Sequence, residues 1–244
     1  MQDVLWLRFD APLMSFGAPV VDQFGKIQEF PGLSLLAGLL GNALGYDHRD
    51  SEALDRLQAR IRYAVRLDRS GEKLTDFQTV ALGQDFLVGT GWTSRGKVEG
   101  RAGASSTETH IRYRDYWADS VVTVALTLTP AHENPVLDRV AEALDEPERP
   151  LFLGRKTCLP AARIFLGRTQ AKTLREALAD APPLKSHRSG CQEIPAWWPA
   201  DEEEHAESRL ISVVDERDWK NQVHTGRRIL RHGRVRIGGN SNEQ

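Results

Sequence analysis

The sequence predicts an α+β fold in which two strand–helix–strand units flank a long glycine-rich insertion. Three observations carry that prediction. Apolar runs with strand periodicity occur at 4–9, 62–68 and 121–129, and leucines or valines recur at helical spacing at 33–44, 51–61 and 136–144. Between 83 and 112, six glycines mix with Ser, Thr and cations, and the apolar periodicity disappears.

Taken in order, residues 4–9 read as a buried first strand, apolar except for Arg8, followed by a loop punctuated by Pro12, Gly17, Pro19 and Gly25. A helix then runs to Leu44, with Ser34 as its expected N-cap and Gly45 at the C′ position. Gly38 and Gly41 each cost about 0.8–1 kcal/mol relative to Ala inside a helix. Close approach of a sheet or another chain is the simplest compensation. The second helix, 51–61, sets Leu54, Leu57 and Ile61 on one face and leads into an alternating strand at 62–68. After the insertion, Val122, Val124, Leu126 and Leu128 share one face of a strand at 121–129. Asn134-Pro135 is expected to open a helix with Pro at its first position and a stripe of Val136, Leu137, Val140, Ala141 and Leu144. Strand-like segments follow at 151–153 and 161–167, and Thr173 with Glu176 forms a capping box. Residues 182–207, with four prolines and an acidic run, read as a surface loop, and 210–214 with 223–237 as a small appended sheet. The order βαββαβ is that of ferredoxin-like folds, which RNA-recognition (RRM) domains share. The expected division is a core at 1–170, carrying an insertion at about 83–112, and a C-terminal β subdomain at 171–244.

Charge separates along the chain. The 244 residues hold 32 Lys and Arg against 34 Asp and Glu, a formal net charge of −2. The windows 94–114, 149–168 and 227–236 contain fifteen of those cations and only two acids, Glu99 and Glu108, a net of +13 that leaves −15 elsewhere. A nearly neutral chain of this kind can present a basic surface to nucleic acid. Asp3, Arg8 and Asp10 argue against a secretory signal, and the leucine-rich stretch is too short and interrupted to span a bilayer. Cys158 and Cys191 lack metal-site spacing, so a reducing cytoplasm is the expected compartment and no membrane is expected as a partner.

The insertion reads either as a solvated excursion or as a basic β-hairpin arm whose Arg95, Lys97, Arg101, Arg112 and Arg114 meet phosphates. Gly154-Arg155-Lys156 suits contact to a phosphate, although an ordinary exposed turn has the same composition. Signals for catalysis are sparse. The seven histidines show no metal-ligand spacing, and no Walker A, G-x-S-x-G or G-x-G-x-x-G motif is present, so neither metal nor cofactor is expected. His110 with Tyr113, Tyr116 and Lys97 has the residue types of a metal-free ribonuclease. A surface histidine beside two packed tyrosines is the plainer alternative.

Four stretches carry a family resemblance: Pro12-Leu13-Met14-Ser15-Phe16-Gly17; the helix from Phe30-Pro31 through Ser34, Gly38-Leu39-Leu40-Gly41 and Leu44-Gly45; Arg114-Asp115-Tyr116 with Asp119 and 122–126; and Leu153-Gly154-Arg155-Lys156 with Cys158. In order and spacing they resemble the Cas-five-type subunits of type I-E CRISPR Cascade, a RAMP family. The resemblance implies a ferredoxin-like RAMP core with the insertion as a β-hairpin thumb. It also implies a non-catalytic subunit that caps the 5′ handle of the crRNA beside the backbone subunit CasC and the large subunit CasA, and meets target DNA indirectly. By the same resemblance Met14, Ser15, Phe16 and Ser34 line the handle site, with Phe16 where Trp is usual, and Arg155 and Lys156 hold phosphates. Type I-C relatives cut RNA, so a metal-independent endoribonuclease that processes CRISPR repeats is the alternative.

Overall fold

The computed structural model describes residues 1–19, 23–81, 109–185, 192–202 and 207–237, and the backbone alone at 91–92 and 98–99. The first half contains β1 (Gln2–Asp10), β2 (Leu13–Met14), β3 (Phe24–Gly25), α1 (Leu33–Ala43), α2 (Ser51–Arg60), β4 (Ile61–Arg69) and β5 (Glu72–Ala81). Two short pieces follow, β6 (Gly91–Trp92) and β7 (Val98–Glu99), then β8 (Thr109–Ala118), β9 (Val121–Leu128), α3 (Leu137–Asp145), β10 (Phe165–Ala171) and α4 (Leu174–Asp180). The chain continues with β11 (Gln192–Pro199), β12 (Arg209–Val213), β13 (Glu216–Asp218), β14 (Val223–Thr225) and β15 (Arg228–Ile237). The architecture is mixed, mostly sheet with few helices. Among the described residues, no helix is long and apolar enough to cross a membrane.

Seven strands form one antiparallel sheet in the order β10-β1-β9-β4-β11-β15-β12. All eight residues of β9 are buried, as its run of β-branched and small apolar residues requires of a strand covered on both faces. On one face, Leu5, Leu7 and Phe9 of β1 pack with Leu36 and Leu40 of α1, Leu54 and Leu57 of α2 and Val140 of α3. On the other, Val4, Ala64, Ala125 and Trp198 pack with Leu174, Ala177 and Leu178 of α4. Beside this sheet, β8 pairs with β2, β3 and β5. The β5–β8 ladder runs without interruption from Glu72↔Ala118 to Ala81↔Thr109. The paired strands that flank residues 82–108 therefore run over 72–81 and 109–118. Residues 82–108 lie outside the described residues, apart from the backbone of β6 and β7.

Several local expectations need correction. Ser34 does not cap α1; the N-cap is Gly32, and the cap is supplied from far along the chain. Asp215 accepts from the Leu33 N–H through its carboxylate (2.9 Å) and from the Ser34 N–H through its carbonyl (2.9 Å). The C-terminal end of α1 follows expectation. Gly45 has φ +85°, and bonds from Gly45 to Asn42 (3.3 Å) and from Tyr46 to Gly41 (2.8 Å) close a Schellman motif. Gly38 and Gly41 admit Trp219 and Leu54 of α2: a Cβ would lie 3.2 and 2.5 Å from their side chains. Pro135 precedes α3 rather than occupying its first turn, the N-cap being Val136. No strand forms at 151–153, and the following strand spans β10, later than the expected 161–167. The capping box at Thr173 does form: its side chain accepts from the Glu176 N–H at 3.0 Å.

The largest correction concerns the expected surface loop and appended sheet. β11 lies inside the large sheet with Trp197 and Trp198 buried, and β15 and β12 extend that same sheet. Only β13 and β14 form a separate ribbon. Pro195 and Pro199 argued against a strand because proline cannot donate to a ladder. They are accommodated because β11 pairs with β4 only at Ala196 and Trp197, while its longer ladder is to β15.

Candidate nucleic-acid interface

A groove of about 490 Å3 opens between the N-terminal end of α1, the Ser15–Ala18 loop, the 152–156 turn and the β13–β14 ribbon. Its wall begins with two interlocked loops. The Ser15 N–H donates to the Leu153 carbonyl (3.0 Å), and bonds from Leu153 to Cys158 and from Cys158 to Arg155, both 2.8 Å, close the turn. Gly154 has φ +110°, and a Cβ there would lie 2.0 Å from the Ser15 carbonyl oxygen. Its glycine is thus explained by loop-on-loop packing rather than by the expected approach to a phosphate.

The same packing decides which predicted residues face the groove. Ser15, Ser34, Arg155 and Lys156 all line it. Met14 and Phe16 do not: both are fully buried, and the Phe16 ring packs 6.3 Å from that of Phe9. Ser15 between them is also buried, though it contributes to the groove lining, and the base stacking expected of Phe16 is not open to it here. Arg112, on β8, donates to the neighbouring Ile111 carbonyl (3.2 Å) and is not among the described lining residues. Arg95, Lys97 and Arg101 lie outside the described residues. Of the expected set His110, Tyr113, Tyr116 and Lys97, Lys97 lies outside the described residues and the other three are not brought together on one face of β8. Tyr113 stacks on Phe24 (5.2 Å), on the opposite face of β8, and Tyr116 is buried beneath Arg155.

Arg155 is held by neutral groups. It donates to the Asp115 carbonyl (2.8 Å) and the Gly25 carbonyl (3.2 Å), with its guanidinium 4.7 Å from the centre of the Tyr116 ring. Lys156 is exposed at the rim. Lys26, after β3, and Arg114 on β8 complete this side, Arg114 donating to Gln78 Oε1 at 3.1 Å. The nearby carboxylate of Asp115 is taken up on the other face of the β5–β8 hairpin by Lys73 (2.7 Å) and Thr75 (2.8 Å). Burial pushes its pKa up, but these two partners, together with the nearby charge of Arg155, outweigh burial and lower it from the usual carboxylate value.

Among the described residues, five Lys or Arg (Lys26, Arg114, Arg155, Lys156 and Arg217) and two histidines (His48 and His224) line the groove, with no Asp or Glu. None of these five cations takes part in any of the ten ion pairs among the described residues. The basic windows of the sequence coincide with the groove only in part: they supply Arg114, Arg155 and Lys156, whereas Arg163, Arg168 and Arg228 pair with Asp145, Asp138 and Asp215. Lys26, His48, Arg217 and His224 escaped the sequence analysis. Arg217 sits in Asp215-Glu216-Arg217-Asp218, where the surrounding acids mask it in any count of charge by window.

The family model described as CRISPR-associated protein (Cas_Cas5) matches residues 4–231, nearly the whole chain. The chain belongs to the Cas5 family. Within it, this Cas5 chain is 33% identical over 186 residues to the CRISPR system Cascade subunit CasD of Escherichia coli K12, which covers 75% of this chain and 79% of that protein. A chain of a solved CRISPR RNA-guided surveillance complex superposes with a TM-score of 0.70 at 27% identity, covering 96% of this chain and 90% of that one. A crystal structure of a Cas protein gives a TM-score of 0.62 at 24% identity, with 95% and 94% covered, and so shares the fold. In this Cas5 chain Arg114, Arg155 and Arg217 are oriented by carbonyls, amides and rings that do not neutralise them.

Proposed function

We propose that this protein is a CasD-type subunit of the Cascade surveillance complex and that its groove holds the 5′ handle of the crRNA in antiviral defence. The observation that carries this reading is the groove itself: among the described residues, five cations in no ion pair and no acid in the lining. A phosphodiester strand supplies the missing negative charge, and Ser34 adds a hydroxyl donor for its oxygens. The core is read as a ferredoxin-like RAMP core at 1–170, supported by the antiparallel order β10-β1-β9-β4, with 171–244 as an extension that widens the sheet. The β5–β8 hairpin supports a thumb reaching over the RNA through residues 82–108, including Arg95, Lys97 and Arg101. CasC and CasA are the proposed neighbours, target DNA is met only indirectly, and the compartment is cytoplasmic.

The subunit acts by binding, without catalysing cleavage. Purified protein incubated in EDTA with the RNA repeat it serves is expected to retain that RNA intact. Site-specific cleavage that disappears in His110→Ala would replace this reading with that of a metal-independent endoribonuclease.

A further inference from the structure

The β13–β14 ribbon supplies part of the groove that no window of sequence charge marks. We infer that Arg217 and His224, on this ribbon, form a second phosphate-binding element that takes a phosphodiester of the bound RNA strand. The inference rests on the RNA-binding reading above and extends it to the C-terminal part of the chain.

Arg217 and His224 are direct cross-strand partners in the ribbon and both line the groove. Opposed residues of an antiparallel pair share a face, with Cβ atoms about 4.5–5.5 Å apart, so a single phosphate can meet both side chains. Arg217 is half-buried, yet its described partners are all neutral. Nη2 donates to Gln222 Oε1 (2.6 Å) and to the Gln222 carbonyl (3.4 Å), and the guanidinium lies 5.3 Å from the Trp219 ring. Burial alone pushes its pKa down. Arg228, in the same C-terminal segment, shows the contrasting arrangement. Its Nε and Nη2 grip both oxygens of the Asp215 carboxylate at 2.7 and 2.6 Å. The fold thus supplies Arg228 with a counter-charge and leaves Arg217 without one. His224 adds a second unsatisfied group, since its Nδ1 is buried with no hydrogen-bond partner.

The ribbon is held rigidly enough to present these groups. Gln58 of α2 locks the Arg217 backbone in both directions, donating to its carbonyl (2.9 Å) and accepting from its N–H (3.1 Å). The same Gln58 oxygen accepts from the Trp219 indole at 3.2 Å, and Trp219 rests on Gly38. Both groups are therefore oriented before RNA arrives, which lowers the ordering cost of binding.

The test uses the full chain and a single-stranded RNA oligonucleotide of its repeat sequence, with affinity measured across a series of salt concentrations. Arg217→Gln is expected to weaken binding about fivefold to tenfold and to reduce the slope of log K against log salt by about 0.7, the value for one lost phosphate contact on a single strand. His224→Gln is expected to weaken it about threefold, as for one lost hydrogen bond. Lys156→Ala reports on the groove independently of the ribbon. If Lys156→Ala weakens binding while both ribbon variants bind like wild type, the ribbon inference is overturned and the groove reading stands. Wild-type protein that shows no salt-dependent RNA binding overturns both. Should Arg217→Gln lower the thermal midpoint, Arg217→Lys decides: it keeps the charge, and an undiminished slope supports the phosphate contact whereas a slope reduced as in Arg217→Gln contradicts it.

Discussion

Arginines on β4 and arginines at the groove are held in opposite ways. Arg66 is wholly buried and fully compensated. Its Nε donates to Asp68 Oδ1 at 2.7 Å, and its terminal nitrogens reach the Ala181 and Pro182 carbonyls at 3.1 and 3.2 Å, where α4 ends. Asp68 accepts in turn from the Thr123 hydroxyl. Arg155 and Arg217 rest on carbonyls, an amide and aromatic rings, with no carboxylate bound. In the sheet, cation and counter-charge come from the same chain and tie elements together. At the groove, the contacts that orient Arg155 and Arg217 carry no counter-charge. A net charge of −2 averages over these two uses and reveals neither.

The contrast is broken most severely at Asp68. Asp68→Ala leaves Arg66 as an uncompensated buried charge and is expected to cost about 3–5 kcal/mol in denaturant unfolding. The salt dependence of RNA binding by the folded fraction is expected to stay unchanged. Gly154→Ala comes next. A Cβ 2.0 Å from the Ser15 carbonyl oxygen, on a residue at φ +110°, forces the two loops apart. The expected loss is about 2–3 kcal/mol, with RNA affinity falling as Arg155 and Lys156 are displaced.

Arg155 and Lys156 sharpen the comparison because they are sequence neighbours. Arg155→Ala removes two hydrogen bonds and a cation–π contact, so about 1–2 kcal/mol of stability is expected to go together with RNA affinity. Lys156→Ala is expected to leave the unfolding midpoint in place and to reduce the salt slope of binding by about 0.7. Equal stability losses in the two variants would erase the distinction between a latch that also binds and a cation that only binds.

The smallest effect is expected at the exposed pair Arg62–Asp201, 2.8 Å apart, where Arg62→Ala should change stability by about 0–1 kcal/mol. The hydrogen bond from Arg62 holds the Asp201 carboxyl below its ordinary pKa. A depressed carboxyl stabilises the fold above its unfolded-state pKa and loses that contribution as pH falls through the folded one. The difference between wild type and Arg62→Ala should accordingly shrink in acid, as thermal unfolding across the acidic range would show.

Elements whose signals are local were legible in the sequence. β9 follows from its run of valines, α2 from Leu54 and Leu57, and the end of α1 from Gly45, since each is determined by residues within one or two turns. What escaped depends on partners distant in sequence. The cap of α1 comes from Asp215, and Gly38 is explained only by Trp219. β11 carries two prolines that locally oppose a strand, yet it is held between β4 and β15 by long-range pairing. The candidate site divides in the same way. Ser15, Ser34, Arg155 and Lys156 lie in recognisable stretches, whereas Arg217 and His224 reach the groove only because Gln58 and Asp215 bring the end of the chain back onto α2 and α1. Met14 and Phe16 lie in an equally recognisable stretch but face inward, a direction that a motif does not encode.

The central claim is that the groove cations are kept free for phosphate, and the salt dependence of RNA binding by the wild-type protein tests it most directly. Five such contacts on a single strand predict that log K falls with log salt at a slope of about −3.5. A slope near zero at measurable affinity would contradict the claim.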